Sequence, residues 1–309
     1  MKHYLYVISL VAILLLQGAC SSNRLMVALD GPFQAECLRE LITMNEFIYE
    51  DAEEIEEPSR RQVDFPDPKI SFMAEVLGVS EVLYGFLEEI EKAESEEALL
   101  IQYSRRIERA IQMASFETSA ITGGIDCEEE KSEQIANFLE NRTKRKETNR
   151  TVAAIVTGAL VSTGTGVALI AGASGTLLEV FGIAGGLTEV WLGVSILRLK
   201  KYVDIDHPVN VIHMVYENDN SEKVFPVSVW KYITIPLNEQ EISKRERVIK
   251  RWDEFEVEVG ALETIRSEGG RYDAEMLKTR ANMLDQLEAQ IYLMKQDLML
   301  FTKYFYSLQ

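Results

Sequence analysis

Apolar residues recur at helical spacing along most of this chain. Across residues 71–113 the series Phe72, Val76, Val79, Leu83, Phe86, Leu87 and Ile90, then Leu99, Ile101, Tyr103, Ile107 and Ile111, marks helix faces at three- and four-residue steps. Acidic residues between Glu94 and Glu97 interrupt the series, which predicts two helices. Gly123-Gly124 reads as a turn and Asp126 as the N-cap of the next helix. Glu128, Glu129 and Glu130 would then fill a first turn, where the helix dipole favours carboxylates. No Pro or Gly follows before Thr151, so this helix is predicted to run straight into the next segment.

That segment is uncharged and glycine-rich over residues 151–178, and a second apolar stretch follows Glu179 over 180–197. Together they are long enough to enter a bilayer as a helical hairpin, since about 20 apolar residues of helix span the hydrocarbon core. Gly172-Ala173-Ser174-Gly175 is the predicted reversal. In the first arm Ala154, Gly158, Ser162 and Gly166 stand four apart, forming a ridge that lets another backbone approach closely. In the second arm Glu179, Gly182, Gly186, Glu189 and Gly193 follow three-four spacing and share one seam. A carboxylate facing lipid costs about 2.5 to 3.5 kcal/mol at mid-helix, so Glu179 and Glu189 are expected to face protein or water. The same pattern also fits the buried central pair of a soluble bundle.

Basic residues flank the hairpin: Arg142, Lys144, Arg145, Lys146 and Arg150 before it, Arg198, Lys200 and Lys201 after it. Because the two arms return to the same side, these charges form one collar. It suits anionic lipid headgroups, at about 1 kcal/mol per charge near the surface, or pairing with neighbouring acids.

Beyond the hairpin, residues 202–237 are the least regular part. Asp206-His207-Pro208 and Phe225-Pro226 read as starts of short helices, with proline in the first turn, and 217–222 as a polar turn. The C-terminal part reads as a long helical pair. Val248, Trp252, Phe255, Val259 and Leu262 form one stripe ending at Gly269-Gly270. Leu277, Leu284, Ile291, Leu298 and Phe305 then repeat every seven residues, with Leu287, Met294, Phe301 and Leu308 interleaved, the pattern of coiled-coil or bundle packing.

Charge and chemistry narrow the class. A formal net charge of -18 over 309 residues argues against nucleic acid, whose phosphates need a basic face. The acidic runs Glu50, Asp51, Glu53, Glu54, Glu56, Glu57 and Glu88, Glu89, Glu91, Glu94, Glu96, Glu97 lack the ligand order of a calcium loop and read as solvated faces. Asp204, Asp206, His207 and His213 do not match a metal spacing, because six residues place the two histidines on different helix faces. No nucleophile elbow, phosphate loop, zinc-protease helix or dinucleotide fingerprint occurs. The expectation is a chain without enzymatic activity, cofactor or metal.

The N-terminus carries an export address. Lys2 and His3 precede an apolar run over 4–16, and Gln17-Gly18-Ala19-Cys20 follows, the layout of a signal peptide. With Ser21-Ser22-Asn23 behind it, this cysteine resembles the lipobox of bacterial lipoproteins, which implies acyl chains on Cys20 that anchor the mature protein in a membrane. Two thiols then remain, Cys37 and Cys127. Outside the cytoplasm they are most simply a disulfide, the alternative being two unpaired buried thiols. The expected divisions are a signal peptide (1–19), an acidic N-terminal segment (20–68), a helical region (69–150), the hairpin (151–199), an irregular connector (200–237) and a C-terminal helical hairpin (238–309).

Long amphipathic helices on both sides of a central Gly/Ala-rich hairpin, Val152 to Leu197, also resemble the layout of the α-helical pore-forming toxins. In that family the hairpin folds against the bundle in the soluble state and swings into the membrane on assembly. The sequence therefore predicts an all-α, elongated helical bundle with a central hydrophobic hairpin and C-terminal heptad helices. Its expected role is that of a membrane-anchored lipoprotein scaffold in the cell envelope, the outer membrane before the inner, facing the periplasm or the cell surface. Its expected partners are membrane lipid, further copies of itself or an envelope protein. The alternatives are a pore-forming protein and a soluble periplasmic scaffold with the hairpin as core.

Overall fold

The computed structural model describes residues 37–39, 65–92, 96–172, 174–197, 200–238, 240–255 and 259–309. The signal peptide, Cys20, the Glu50–Glu57 run and Arg198 lie outside these residues. The described chain is all-α apart from one small sheet. In order it forms α1 (Pro68–Val76), α2 (Ser80–Glu91), α3 (Glu97–Ile170), α4 (Gly175–Leu197), β1 (Val203–Asp206), α5 (Val211–Glu217), α6 (Val227–Thr234), α7 (Lys244–Phe255), α8 (Val259–Arg266), β2 (Gly269–Tyr272), α9 (Ala274–Tyr292) and α10 (Met294–Ser307). Strands β1 and β2 pair in a two-stranded sheet.

Two compact units emerge. One holds Ile135–Asp204 with Arg271–Ala274, and the other holds the described residues of Leu29–Gln134, Ile205–Gly270 and Glu275–Gln309. The second contains a helical core centred on α1 and α10. Asp67 starts α1 by accepting the Lys69 N–H at 2.8 Å, with Pro68 in the first turn. Gly78, at φ +66°, turns the chain out of it. Between these stops α1 buries Ile70, Phe72, Met73, Ala74 and Val76.

The heptad expectation holds. Leu277, Leu284, Leu287, Ile291, Met294, Leu298, Phe301 and Phe305 are all buried, and Leu308 is half-buried. In α3, Ile107, Ala114 and Ile121 stand seven apart, as do Thr118, Ile125 and Ser132, and all six are buried. The two series meet where the Thr118 hydroxyl contacts the Met294 sulfur at 3.4 Å and the Lys295 ammonium donates to the Ser115 hydroxyl at 2.8 Å. Cys127, also on α3, is joined to Cys37 by a disulfide with Cα atoms 5.8 Å apart.

Four local expectations are corrected. Gly123-Gly124 is no turn and Asp126 no N-cap, because α3 continues through both. Two mid-helix glycines cost about 1 kcal/mol each, but Ile121 and Ile125, fully buried on either side, each return roughly 1.5 to 3 kcal/mol of burial. Asp206-His207-Pro208 starts no helix, since Asp206 ends β1 and α5 begins only after Asn210. Gly269-Gly270 is not a bare stop but the start of β2. Gly269 has φ +154°, and a Cβ there would lie 2.6 Å from the Ile205 carbonyl oxygen, so the close approach of backbone needs glycine. Nor is Glu89 a solvated acid: it is buried, and its carboxylate accepts from the Glu96 N–H at 2.7 Å and from Lys92 at 2.6 Å, tying the end of α2 to the start of α3.

Asn210 organises the irregular segment. Its side-chain oxygen caps α5 by accepting the Ile212 N–H at 3.2 Å, and its amide donates to the carbonyls of Ile265 and Ser267, both at 2.8 Å. The fully buried Arg280 of α9 donates to the same Asn210 oxygen at 3.2 Å. One polar side chain thus joins α5, the end of α8 and α9. None of this is visible as periodicity.

Candidate functional site

The last turns of α3 and all of α4 form the predicted hairpin, reversed at Gly172, whose φ of +75° suits only a residue without a Cβ penalty. Three contacts set the antiparallel register of the arms. An Arg150 guanidinium N–H donates to the Ser195 carbonyl at 2.5 Å. A Cβ placed on Gly158 would meet Glu189 Oε1 at 2.5 Å, and one on Gly185 would meet Val161 Cγ1 at 2.8 Å. Glycine at 158 and 185 therefore lets the other arm's side chains close in.

Outside these contacts most described residues of the hairpin are exposed. Ile155, Leu160, Val167, Leu169 and Ile170 on α3, and Ile183, Leu187, Val190 and Val194 on α4, are all exposed, Leu160 by 69% and Ile170 by 90%. Both helices are long and apolar enough to cross a membrane. None of the most apolar window of α3 is buried, and 12% of that on α4. Such an exposed apolar surface is far beyond the scattered hydrophobic residues of an ordinary soluble face.

The predicted seam is only partly the contact between the arms. Glu189 reaches Gly158, but Gly166, Gly182, Gly186 and Gly193 have open space where a Cβ would stand, and Glu179 is exposed. The close glycine on α4 is Gly185, one residue off the predicted seam. Spacing alone left the rotation of one arm against the other open.

The collar residues divide into two groups. Lys144 pairs with Glu140 at 3.8 Å and Lys200 with Asp273 at 3.4 Å, while Arg145 is exposed. Lys201 is buried beside Lys146, Arg150 and Arg142, and burial together with these charges pushes its pKa down. Sequence reading placed it in a collar suited to lipid headgroups or to pairing with neighbouring acids.

Two clusters in the other unit escaped the sequence reading. The buried Asp297 carboxylate accepts from Lys69 Nζ at 2.7 Å and from the Tyr232 hydroxyl at 2.8 Å, beside a cleft of about 210 Å³. There the Lys244 ammonium lies 3.9 Å from the Tyr232 ring centroid and 4.5 Å from that of Phe72. Burial pushes the Lys244 amine down to about 8, Asp297 holds against this, and Arg247 and Lys69 add to it. Phe72, Tyr232, Lys244 and Asp297 come from four helices, so no local pattern announces them.

The second cluster brings Asp126 and Glu129 of α3 to Glu288 of α9, with carboxylate oxygens within 4.8 Å of one another. Burial, then Asp285, Glu288, Asp126 and Glu133, raise the Glu129 pKa from 4.5 to about 7. Three carboxylates at this distance could hold a metal ion, and the same crowding favours the protonated form of Glu129. Asp204, Asp206, His207 and His213 belong to no group of metal-ligand distance among the described residues. His207 is buried, its pKa pushed down to about 2 by burial and then by Arg280 and Lys131, whereas His213 is exposed.

Compared with protein-family models, curated proteins and solved structures, the chain matches none.

Proposed function

We propose that this chain is a non-enzymatic, lipid-anchored scaffold of the bacterial cell envelope whose hydrophobic hairpin packs in a membrane or against a partner's helices. The observation that carries the reading is the exposure of both apolar arms over their length. Twenty helical residues rise about 30 Å, the thickness of the hydrocarbon core. Between Thr151 and Leu197 the charged residues are Glu179 and Glu189, and cations gather before and after. The Cys37–Cys127 disulfide fits an oxidising compartment, in keeping with the lipobox-like Cys20. The soluble-scaffold alternative needs the hairpin as core, against an apolar window that is 12% buried on α4 and unburied on α3.

The pore-forming alternative keeps one specific support. Gly182, Gly186 and Gly193 face open space on α4, where a neighbouring helix can approach closely.

Liposome flotation of the chain from residue 20 with C20S, washed in carbonate, tests the first reading, with dye release from the same vesicles. Carbonate-resistant flotation is expected without acylation. Failure to float leaves the acyl chain as the sole attachment and sinks the inserted hairpin; dye release moves the pore to the front.

A further inference from the structure

Helix α7 starts at a fixed point and places a lysine there against the helix dipole. The Ser243 hydroxyl accepts the Glu246 N–H at 3.1 Å while the Glu246 carboxylate accepts the Ser243 N–H at 2.8 Å, a reciprocal cap. Lys244 is therefore the first residue of α7, at the positive end of the dipole, where a cation is disfavoured and an anion favoured. Its ammonium lies over the rings of Tyr232 and Phe72, 3.9 and 4.5 Å from their centroids. A ring face is a weaker partner for an ammonium than an oxygen anion is.

The carboxylates around Lys244 are engaged with other groups. Asp297 accepts from Lys69 on one oxygen and from the Tyr232 hydroxyl on the other. Glu241 accepts from the Asn238 amide at 2.9 Å and lies 3.7 Å from an Arg247 nitrogen, and Glu246 closes the cap. Among the described residues none of them makes an ion pair with Lys244.

Lys244 borders the cleft of about 210 Å³, which is smaller than a pocket for a drug-sized molecule and so suits a small ligand. Its wall carries three cations, Lys69, Lys244 and Arg247, against two carboxylates, Glu241 and Asp297. One surplus positive charge matches a monoanion, whereas a second negative charge on the ligand would face Glu241 and Asp297 uncompensated. Much of the remaining wall is apolar, formed by Ile235, Leu237, Ile242 and Leu293, and the last two are exposed. These side chains suit an alkyl group. Lys244, already held against two rings, loses little rotamer freedom when an anion arrives.

We propose that the cleft beside Lys244 binds a small aliphatic monocarboxylate, its carboxylate accepting from the Lys244 ammonium and its alkyl chain covering Ile235, Leu237, Ile242 and Leu293. The site belongs to the helical core around α1 and α10 and not to the hairpin, so it stands or falls independently of the membrane reading.

The probe is hexanoate, added to the chain from residue 20 with C20S. In calorimetric titration hexanoate is expected to bind at least about tenfold more tightly than hexanol, the neutral molecule of equal chain length, and K244M to remove the difference. K144M, which deletes an exposed charge outside the cleft, is expected to keep it. Hexyl phosphate, a dianion, is expected to bind more weakly than hexanoate. A brief pulse of acetylation by a succinimidyl ester, read by peptide mass spectrometry, locates the ligand on the parent chain: saturating hexanoate is expected to slow acetylation of Lys244 and leave that of Lys144 unchanged. This arm needs no variant and decides the matter if K244M folds poorly. Equal binding of hexanoate and hexanol overturns the proposal, leaving the alkyl chain on exposed apolar surface such as the hairpin arms. Acetylation of Lys244 that hexanoate does not slow overturns it as well. Tighter binding of hexyl phosphate than of hexanoate overturns the monocarboxylate and assigns the cleft to a phosphate ester.

Discussion

The Glu189 carboxylate of α4 fills the place where Gly158 of α3 lacks a side chain, so closely that a Cβ on Gly158 would meet Oε1 at 2.5 Å. Glu189 is thereby directed at the other arm. Its charge is the main obstacle to lipid at mid-helix, and replacing it by an apolar residue removes a cost of about 2.5 to 3.5 kcal/mol. E189L is expected to strengthen vesicle partitioning of the C20S chain by at least about tenfold, measured by flotation over a lipid titration. Unchanged partitioning with loss of helix content would count against insertion.

The arm contacts rank three glycine substitutions. Gly to Ala in a helix gains about 1 kcal/mol of propensity. At Gly182 nothing lies within 4 Å of a new Cβ, so G182A keeps the gain. At Gly158 the flexible end of Glu189 must move, which offsets part of it. At Gly185 the new methyl meets Val161 at 2.8 and 2.9 Å, and a β-branched side chain on a helix cannot swing aside, so overpacking costs about 1 to 3 kcal/mol. Denaturation of the hairpin is expected to give stabilities in the order G182A, G158A, G185A.

Reduction of Cys37–Cys127 opens a loop with a sequence separation of 90 residues. The chain-entropy model puts the loss at roughly 4 to 5 kcal/mol. Excess thiol, or the C37S/C127S pair, is expected to lower the urea midpoint accordingly.

Glu129 gives a pH signature. Its folded pKa, about 7, exceeds the ordinary 4.5, so between these values the folded state binds more protons than the unfolded one. This contribution is fully present below about pH 4.5 and is lost as pH rises through 7. The raised pKa of Glu288, from burial and then Asp126 and Asp285, acts in the same direction. E129Q is therefore expected to match its parent near pH 5 and exceed it in stability at pH 8, measured by urea unfolding at each pH.

Asp297 supports Lys244 across the cleft, so D297N is expected to lower the Lys244 amine further below about 8, seen as faster acylation of Lys244 at neutral pH by mass spectrometry. Loss of the bonds to Lys69 and Tyr232 is expected to cost about 1 to 3 kcal/mol in stability. Slower acylation would mean that Asp297 does not hold the charge on Lys244.

Much of this molecule is written in local pattern. The seven-residue steps from Leu277 to Phe305, the apolar arms and the reversal at Gly172 depend on neighbours within a turn or two, and each forms as its spacing predicts. Gly123-Gly124 misled because turn propensity is a weak local preference, overridden by the burial of Ile121 and Ile125. Strands β1 and β2 were missed because four residues carry too little alternation to register, and their partners lie more than 60 residues apart in sequence.

The sequence by itself determined the helices, the hairpin and the flanking charge, because periodicity and composition act over short stretches of chain. Only the tertiary structure decided that Gly185 rather than Gly186 receives the other arm, that Lys201 is buried while Lys144 is not, and that Glu129 shares a carboxylate cluster with Glu288. Those outcomes depend on the rotation of one helix against another, and that rotation is set by the packing of side chains far apart in sequence.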